Sequence, residues 1–354
     1  MSNFIPKIII NNFEFLTSDQ KQKMDIYTFI EEWNNDSDNI EIQTSGSTGV
    51  PKSFVFYKKH LIESAKATLR YFKSFSDYPI LLCLSANTIG GKMQIIRSLV
   101  WDKKILILPL ERNPIKNLNQ KSSFLTLTPI QLNEILQNTP EKLDLIDKIL
   151  LGAAPIDDNI YHKIQHLKTL FFQGFGMSES LSHFAIRKLN NHTKSIQSIE
   201  KIPYQLLEKV ELIHESNDFF LTIPYLDIKN LLLSDDFELV DKNLFFWKGR
   251  KDWLINSGGY KFNPEILEKK LQDIILNPYF IIGEKNEIYH QIVTLFIEEE
   301  NHQINIEELK LQMYKRLKRY EIPKKIIQVG RFLYTESGKI DRLKTQNKYL
   351  ENKI

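Results

Sequence analysis

The stretch IEIQTSGSTGVPKSFVFY, residues 40–57, places a loop of glycines and hydroxyl side chains between two apolar runs. Alternation in the first run and aromatic and β-branched side chains in the second predict a strand–loop–strand hairpin. A Walker A loop would have glycine before its lysine and a helix after it. Here Pro51, which has no N–H, precedes Lys52, and a strand follows. The pattern argues against a Walker loop and leaves open a ligand-free turn or another kind of phosphate loop.

The composition predicts a globular protein of two ordinary domains. The chain has 354 residues, with 42% hydrophobic and 26% charged side chains. Its 47 basic and 44 acidic side chains leave a net charge of +3, which argues against nucleic-acid or membrane-surface binding. No run reaches the length of a membrane span, and the start lacks a signal-peptide pattern. A single cysteine, Cys83, lies in an apolar run, so we expect a buried thiol and a cytoplasmic protein with no membrane insertion.

Strand-like and helix-like segments alternate through the first two-thirds of the chain. Apolar residues at helical spacing predict a helix over 58–75, and another helix is expected to begin at Pro129. The runs ILLCLS, KILILPL, SFLTLTP, KILLGAAP and TLFFQGFG are typical of buried strands. This alternation predicts α/β layers around a largely parallel sheet. Ligands bind beyond the carboxyl ends of such strands, where GAAP (152–155) and GFGMSES (174–180) fall.

The last third of the chain has a different pattern. FFLTIP, LLLSDDFELV and LFFWKGR predict short antiparallel strands. Farther on, the helical segments NPEILEKKLQDIIL and IEELKLQMYKRLKRYEI alternate with three apolar runs. We therefore expect a large α/β domain over 1–251 and a small α+β domain over 252–354.

Six segments resemble, in order, the motifs of the adenylate-forming superfamily of acyl- and aryl-CoA synthetases, luciferases and peptide-synthetase adenylation domains. They are TSGSTGVPK (44–52), LLGAAP (150–155), GFGMSES (174–180), SDD (234–236), GRKDWLINSGGYKFNPEILE (249–268) and ESGKIDR (336–342). On these matches the chain is identified as a member of that superfamily. The resemblance implies that the hairpin loop handles the pyrophosphate of ATP.

The same resemblance implies a reaction in two halves. A carboxylate attacks the α-phosphorus of ATP, giving an acyl-adenylate and pyrophosphate, and a thiol then displaces AMP. A small carboxylic acid, ATP, Mg²⁺ and CoA are therefore the expected ligands. The positions that match the family's nucleotide site are Thr44, Ser45, Gly46, Ser47, Thr48, Gly49, Lys52, Gly152, Ala153, Ala154, Pro155, Gly174, Phe175, Gly176, Asp235 and Arg250.

Three positions match the family's catalytic residues. Lys339 is expected to bridge the carboxylate substrate and the α-phosphate as negative charge accumulates there. Ser178 would hydrogen-bond the α-phosphate, and Glu179 would hold Mg²⁺. For the ribose hydroxyls the pattern favours Asp235, with Asp236 one residue away as the alternative. In the nucleotide site, the aromatic ring before the last glycine of GFG is expected to stack against adenine.

The resemblance also implies a moving small domain. Asp252 matches the family's hinge, about which the small domain would rotate between the two half-reactions. The rotation would take Lys339 out of the site and bring in a loop that contains Gly258, Gly259 and Lys261. Glycines suit a loop whose backbone must come close to a thiol-bearing arm.

The acid substrate is suggested by the region around residues 84–108. Here LSANTIGGKMQIIRSLVWDKKILIL resembles o-succinylbenzoate–CoA ligases of menaquinone biosynthesis, with Thr88 where many of them have histidine. The phosphate loop begins near residue 43, whereas typical family members have well over a hundred residues before it. The resemblance therefore implies that a substantial part of the usual N-terminal subdomain is missing.

o-Succinylbenzoate keeps one free carboxylate after activation, and that anion needs a fixed cation. Lys92 and Arg97 lie on the predicted helix nearest the expected acyl pocket, five residues apart, so we expect one of them to serve. Thr88, Ser182 and His183 are further candidates for this pocket. The alternatives are surface cations and a packed, hydrogen-bonded histidine.

Other functions stay open at this point. One is a different acyl- or aryl-CoA ligase with a neutral acid, and another is a stand-alone adenylation enzyme that loads a carrier protein. CoA and a carrier arm end in the same pantetheine thiol, so the sequence does not separate them. A silent binding module is the third alternative, and Glu179 and Lys339 argue against it. The family is often dimeric, which makes a homodimer a further expectation.

Overall fold

The structure, a computed structural model, describes residues 5–44, 52–193, 196–251, 253–299, 304–334 and 340–351. Its helices are α1 (Gln20–Asn34), α2 (Lys58–Phe72), α3 (Ile89–Val100), α4 (Pro129–Asn138), α5 (Asp158–Ile164), α6 (Pro264–Leu271), α7 (Ile306–Arg316) and α8 (Arg342–Glu351). Within the described ranges, none of these helices has both the length and the apolar character that a membrane crossing requires.

The strands form one large sheet, two small ones and a hairpin. They are β1 (Phe13–Phe15), β2 (Asn39–Thr44), β3 (Lys52–Tyr57), β4 (Ile80–Leu82), β5 (Ile105–Ile107), β6 (Ser122–Leu127), β7 (Ile146–Leu151), β8 (Leu170–Gly176), β9 (His183–Lys188), β10 (Tyr204–Leu206), β11 (Glu211–Glu215), β12 (Asp218–Ile223), β13 (Ile228–Leu233), β14 (Asp235–Leu239), β15 (Leu244–Arg250), β16 (Ile255–Ser257), β17 (Tyr260–Phe262), β18 (Tyr279–Asn286), β19 (His290–Glu298) and β20 (Lys325–Val329).

The large sheet has ten strands in the order β1-β5-β4-β6-β7-β8-β9-β10-β15-β14. Neighbours from β1 to β8 are parallel, and those from β8 to β14 are antiparallel. The central strands β4, β5 and β6 are buried along their whole length, and β4 and β5 accordingly appear in the sequence as continuous apolar runs. The predicted α/β sheet is confirmed, with an antiparallel half added.

Each face of this sheet has its own apolar core. Helices α1, α2 and α3 pack on one face through side chains such as Ile26, Leu61 and Ile95. Helices α4 and α5 pack on the other face through Leu132 and Tyr161. The sheet is thus covered on both sides, and its strand ends remain for ligand loops.

The hairpin predicted at residues 40–57 is confirmed. Strands β2 and β3 pair antiparallel, with Asn39 opposite Tyr57 and Thr44 opposite Lys52. A strand, and not a helix, therefore follows the glycine-rich segment, which excludes the helix that a Walker A loop needs. The loop itself, residues 45–51, lies outside the described residues.

The C-terminal part has its own sheet and core. Strands β17, β16, β19 and β18 are antiparallel neighbours, and β20 pairs parallel with β19. Leu271, Leu295 and Met313 belong to an apolar cluster that contains only residues from this part. The prediction that the first helix here extends through Leu276 is wrong. That side chain is 85% exposed and has no core to pack against, and the helix ends at Leu271.

Helix α6 holds the end of β15, and we call this contact the α6 clasp. Asn263 Nδ2 donates to the carbonyl oxygen of Lys248 at 3.2 Å, and Glu265 Oε2 accepts from the backbone N–H of Arg250 at 3.1 Å. Gly249 lies between them with φ of +102°, and an added Cβ would come within 2.0 Å of Asn263 Nδ2. Only glycine fits at this close approach.

Candidate active site

Three motif segments meet at one edge of the large sheet. Strands β6, β7 and β8 are parallel neighbours, so their carboxyl ends lie side by side. The loop Gly152–Pro155 follows β7, and the turn at 177–182 follows β8. The backbone N–H of Gly152 also donates to Leu127 at the end of β6, at 3.1 Å. The structure therefore brings the predicted adenine loop beside the GFGMSES segment, at the edge where such folds bind ligands.

The predicted adenine loop is held by a residue that the sequence analysis did not single out. Gln173 on β8 donates from Nε2 to the carbonyl oxygen of Ala154 at 3.2 Å. Its Oε1 accepts from Tyr204 Oη at 3.0 Å and from Arg187 Nε at 3.0 Å. The signal for it was a glutamine directly after the apolar residues LFF in the segment TLFFQ. Ala153 has φ of +71°, a strained conformation that often marks functional loops.

The turn after β8 is tightly constrained. Strands β8 and β9 shift register next to Gly176, and an added Cβ at this glycine would come within 2.2 Å of the carbonyl oxygen of Ser182. Ser180 is buried, and its Oγ accepts from the backbone N–H of Met177 at 3.1 Å. Leu181 then turns the chain with φ of +63°. These constraints fix the position of the acidic residue in the middle of the turn.

Replacing Gly176 with alanine is expected to lower the free energy of unfolding by about 1–3 kcal/mol, because the backbone of β9 would have to move. Urea unfolding measures this change. Gly330→Ala is the matched control, since an added Cβ there meets no atom within 4 Å. Equal stability of the two variants would contradict the close approach of β8 and β9.

Glu179 lies in this turn with an exposed side chain. It forms no ion pair with any described residue. In the described parts of the chain, no three His, Cys, Asp or Glu side chains gather into a metal cluster. Mg²⁺ commonly binds one or two carboxylates together with substrate phosphates, so a single free carboxylate fits an ion that arrives with its nucleotide. The roles of Glu179 and Ser178 stay predictions.

Phe175, the residue predicted to stack against adenine, belongs to an aromatic cluster. Its ring makes edge contacts with Phe184, Phe237 and Phe245 at centroid distances of 5.5, 5.7 and 5.7 Å. It is nevertheless partly exposed. Packing on several sides fixes the orientation of the ring, and its contact with adenine stays a prediction.

Of the two candidates for ribose, Asp235 has the more defined position. Its Oδ1 accepts from Trp247 Nε1 at 2.7 Å, and in the β14–β15 register it lies opposite Arg250. Asp236 is exposed and lies opposite Gly249. The geometry therefore favours the interpretation that the carboxylate beside Arg250 is the one at the site.

The two candidate cations of α3 have different surroundings. Lys92 Nζ lies 3.1 Å from Glu32 Oε2 and 4.7 Å from the centre of the Phe29 ring. Arg97 is only 2% exposed, and one of its terminal nitrogens donates to Gln94 Oε1 at 3.2 Å. Its Nε has no acceptor, and no described carboxylate pairs with it. Burial lowers the pKa of Arg97 to about 10, which leaves it charged at pH 7.

His183 is hydrogen-bonded in a way that defines its tautomer. Its Nε2 lies 3.0 Å from Thr68 Oγ1, and that hydroxyl donates to the carbonyl oxygen of Ser64 at 3.0 Å. Nε2 must therefore carry the proton, and Nδ1 accepts from Ser182 Oγ at 3.4 Å. Burial, and then the charge of Arg97, lower the pKa of His183 well below its usual value of 6.5. Thr68, which the sequence analysis did not identify, is the partner that orients this ring.

Because His183 is neutral in the folded protein, we expect the free energy of unfolding to depend on pH. In the unfolded chain His183 takes up a proton near pH 6.5, whereas in the folded chain it does so only at much lower pH. Its contribution to stability is therefore present above pH 6.5 and is lost below it, by about 1.4 kcal/mol for each pH unit. Urea unfolding at pH 7.5 and 5.5 should show a larger loss for the parent protein than for His183→Gln. The same loss in both proteins would contradict this assignment.

Thr88 caps the helix that carries Arg97. Its Oγ1 accepts from the backbone N–H of Gly91 at 3.3 Å and donates to the carbonyl oxygen of Ser85 at 2.8 Å. An N-cap of this kind fixes the start of α3. Contact between Thr88 and the acid stays a prediction.

The predicted thiol-side loop is a tight turn between β16 and β17. Gly258 and Gly259 have φ of +58° and +84°, values that glycine adopts without strain. The backbone N–H of Gly258 donates to the carbonyl oxygen of Tyr289 at 3.0 Å. Lys261 follows on β17 with an exposed side chain.

Several predicted site residues lie outside the described parts of the chain. They are Ser45, Gly46, Ser47, Thr48, Gly49, Asp252 and Lys339. Thr44 and Lys52 face each other at the ends of β2 and β3, which brings the two ends of the loop together. The phosphate, hinge and adenylation roles of these residues stay predictions.

A family model described as AMP-binding enzyme matches residues 9–207, which is more than half of the chain. A putative long chain fatty acid-CoA ligase, VraA of Staphylococcus aureus (strain COL), is 31% identical over 343 residues, covering 88% of this chain and 71% of that protein. A 2-succinylbenzoate–CoA ligase of Staphylococcus epidermidis (strain ATCC 12228) is 23% identical over 332 residues, covering 87% and 69%.

A solved structure has the same fold. It is O-succinylbenzoate coenzyme A synthetase (MenE) from Bacillus subtilis in complex with ATP and magnesium ion. The likeness has a TM-score of 0.75 at 18% identity and covers 94% of this chain and 79% of that one. It confirms the predicted combination of a large α/β domain with a small C-terminal domain.

Proposed function

This chain belongs to the AMP-binding enzyme family, as its six motifs predicted, and from that premise we propose that it is an ATP-dependent acid–thiol ligase. It activates a carboxylic acid as an acyl-adenylate, releases pyrophosphate and transfers the acyl group to CoA. Its proposed acid is o-succinylbenzoate, and its product is o-succinylbenzoyl-CoA for menaquinone biosynthesis.

The observation that carries the choice of acid is the environment of Arg97. A buried cation without a counter-charge costs several kcal/mol unless an anion accompanies it. Within the described residues the guanidinium of Arg97 donates only to the neutral acceptors Gln94 Oε1 at 3.2 Å and Thr126 Oγ1 at 3.5 Å, and its Nε is unsatisfied. A second carboxylate on the acid would complete this site. Lys92 already forms an ion pair with Glu32. Of the two cations on α3, Arg97 is therefore the one that we propose for the second carboxylate.

The competing acid is a long-chain fatty acid, which the name of the Staphylococcus aureus relative favours. A fatty acyl chain needs an apolar channel and leaves no charge after activation. Beside such a chain, the guanidinium of Arg97 would stay buried and unpaired. The dicarboxylate is therefore the better match to the side chains on this helix.

Other proposed roles follow from matching positions in the family motifs. We assign Lys339 to the adenylation step, Glu179 to Mg²⁺ and Asp235 to the ribose. Bound Mg²⁺ would supply positive charge to the phosphates and make pyrophosphate a better leaving group. We also propose that residues 252–354 form the moving small domain, with Asp252 as its hinge.

The test is pyrophosphate release with ATP, Mg²⁺ and a panel of acids, with and without CoA. The panel contains o-succinylbenzoate, benzoate and a long-chain fatty acid. We expect release with o-succinylbenzoate and a CoA thioester of the corresponding mass. Release only with benzoate or the fatty acid would keep the reaction and overturn the substrate. No release with any acid would overturn the ligase proposal.

A further inference from the structure

Two short segments of the small domain flank the part of the chain that contains Lys339, and we call them the two stems. The first stem is residues 332–334, and the second stem is residues 340–342. The two are joined by an antiparallel bridge between Tyr334 and Ile340. The stems therefore fix where the chain enters and leaves the segment with the proposed adenylation lysine.

Further hydrogen bonds hold the stems together. The backbone N–H of Asp341 donates to the carbonyl oxygen of Leu333 at 2.8 Å, and the N–H of Leu333 donates to Thr345 Oγ1 at 3.0 Å. Asp341 and Thr345 are only 5% and 1% exposed. The stems are thus a packed part of the small domain, and their position depends on what binds each of them.

A buried carboxylate holds the first stem. Glu298, at the end of β19, is 4% exposed. Its Oε1 accepts from the backbone N–H of Phe332 at 2.6 Å, and its Oε2 accepts from Tyr334 Oη at 3.3 Å. A buried carboxylate costs free energy unless such hydrogen bonds accompany it. Since both of these donors belong to the first stem, the carboxylate and the stem hold each other in place.

A second carboxylate holds the second stem. Arg342 forms a bidentate pair with Glu268 of α6, with Nη1 2.8 Å from Oε1 and Nη2 2.9 Å from Oε2. Glu268 Oε1 also accepts from the backbone N–H of Ile281 on β18 at 2.7 Å. The guanidinium lies 4.5 Å from the centre of the Trp253 ring. The second stem is therefore bound to α6 and lies against the residue that follows the proposed hinge.

We propose that Glu268 and Glu298 are positioning residues for the adenylation step, because they hold the two stems and so set the position from which Lys339 meets the α-phosphate. This proposal rests on the proposed function, and it adds two residues to which the motifs give no role. A charged group stabilises a transition state best when its surroundings hold it in place before the reaction. A misplacement of about 1 Å can lower a rate by about 100-fold.

The experiment measures the two half-reactions separately in variants of each carboxylate. Assays at pH 8 keep Glu268 largely ionised, since burial raises its pKa to about 7. Glu268→Met and Glu298→Met should each lower the kcat of acid-dependent pyrophosphate release by about 10- to 100-fold. Transfer to CoA from an acyl-adenylate added ready-made should be preserved, because Lys339 is proposed to leave the site before that step.

A double variant separates positioning from loss of stability. Glu268→Met leaves Arg342 without its carboxylate, which destabilises the fold. Adding Arg342→Met removes the unpaired charge and should recover stability, which urea unfolding measures. Pyrophosphate release should nevertheless stay low in the double variant, because the second stem is still not bound to α6.

Glu284→Met is the matched control in the same sheet. Glu284 on β18 is a carboxylate that binds Lys325 at 2.9 Å and Thr294 at 2.7 Å, and neither partner belongs to a stem. Its substitution therefore removes a bound carboxylate from the small domain without releasing the stems. Both half-reactions should stay as in the parent protein.

The outcomes distinguish the two proposals. Normal pyrophosphate release in Glu268→Met and Glu298→Met would overturn the positioning role and leave the ligase intact. Equal losses in both half-reactions, an equal loss in Glu284→Met, or recovery of release together with stability in the double variant would also overturn it. If no acid gives pyrophosphate, the ligase proposal fails. Hydrogen exchange of the stems then tests the anchoring by itself. We expect faster exchange in the first two variants than in Glu284→Met, and equal exchange would overturn the anchoring.

Discussion

Replacing Lys339 with alanine is expected to lower acid-dependent pyrophosphate release by about 10²–10³-fold. Negative charge accumulates between the carboxylate and the α-phosphate during adenylation, and loss of one preorganised positive or donor group at such a centre has an effect of that size. The expectation comes from the ESGKIDR motif. Release of pyrophosphate from ATP with o-succinylbenzoate, measured at saturating Mg²⁺, gives the effect directly.

A second half-reaction separates this role from loss of folding. Transfer to CoA from an acyl-adenylate added ready-made should be preserved in Lys339→Ala, because the small domain is proposed to remove this lysine before the thiol attacks. Lys344→Ala is the matched control, since this lysine is exposed and lies 3.3 Å from Asp341. Equal loss in both half-reactions, or in both variants, would contradict a specific role in adenylation.

Arg97→Met is expected to lower kcat/KM for o-succinylbenzoate by about 30-fold or more, because removal of one partner of a buried charge pair costs 2–5 kcal/mol. Activity with benzoate, which has no second carboxylate, should not fall. The free energy of unfolding should be unchanged or higher, since the substitution removes a buried cation that has no described counter-charge. Steady-state kinetics with the two acids and urea unfolding measure these effects.

Lys92→Met is the control on the same helix. It removes a cation that already has Glu32 as its partner, so the preference between the two acids should stay as in the parent. If Lys92→Met changed this preference and Arg97→Met did not, Lys92 and not Arg97 would be the residue that binds the second carboxylate. If Arg97→Met were strongly destabilised, the arginine would be structural.

The sequence predicted the parts of the fold in which local pattern and tertiary packing agree. Strands β4 and β5 are apolar runs because both of their faces are buried, and α4 begins at Pro129 as expected. Helix α6 ends at Leu271, five residues before the end of its apolar pattern, and Leu276 at the end of that pattern is 85% exposed. The pattern records which residues are apolar, whereas the helix boundary depends on what the rest of the chain brings beside them.

In the candidate site, too, some features could be predicted from the sequence and others depend on tertiary contacts. Contiguous motifs such as GAAP and GFGMSES were visible in the sequence, and the sheet edge brings them together. The contacts that hold the site were not visible, because they join residues far apart in the chain. Thr68 orients His183 across 115 positions, and Gln173 supports Ala154 from the next strand. The choice between Lys92 and Arg97 likewise depended on Glu32, which no spacing rule connects to α3.

The α6 clasp gives the proposed rotation of the small domain an energetic threshold. Asn263 and Glu265 hold the backbone of β15 at Lys248 and Arg250, within four residues of the proposed hinge, so a rotation there must break both hydrogen bonds. At about 1 kcal/mol each, they would keep the rotated form a minor population of a few per cent. Ligands of the second half-reaction must then bind the rotated form more tightly by at least that amount. The clasp would thus favour the unrotated arrangement until ligands that prefer the rotated form bind.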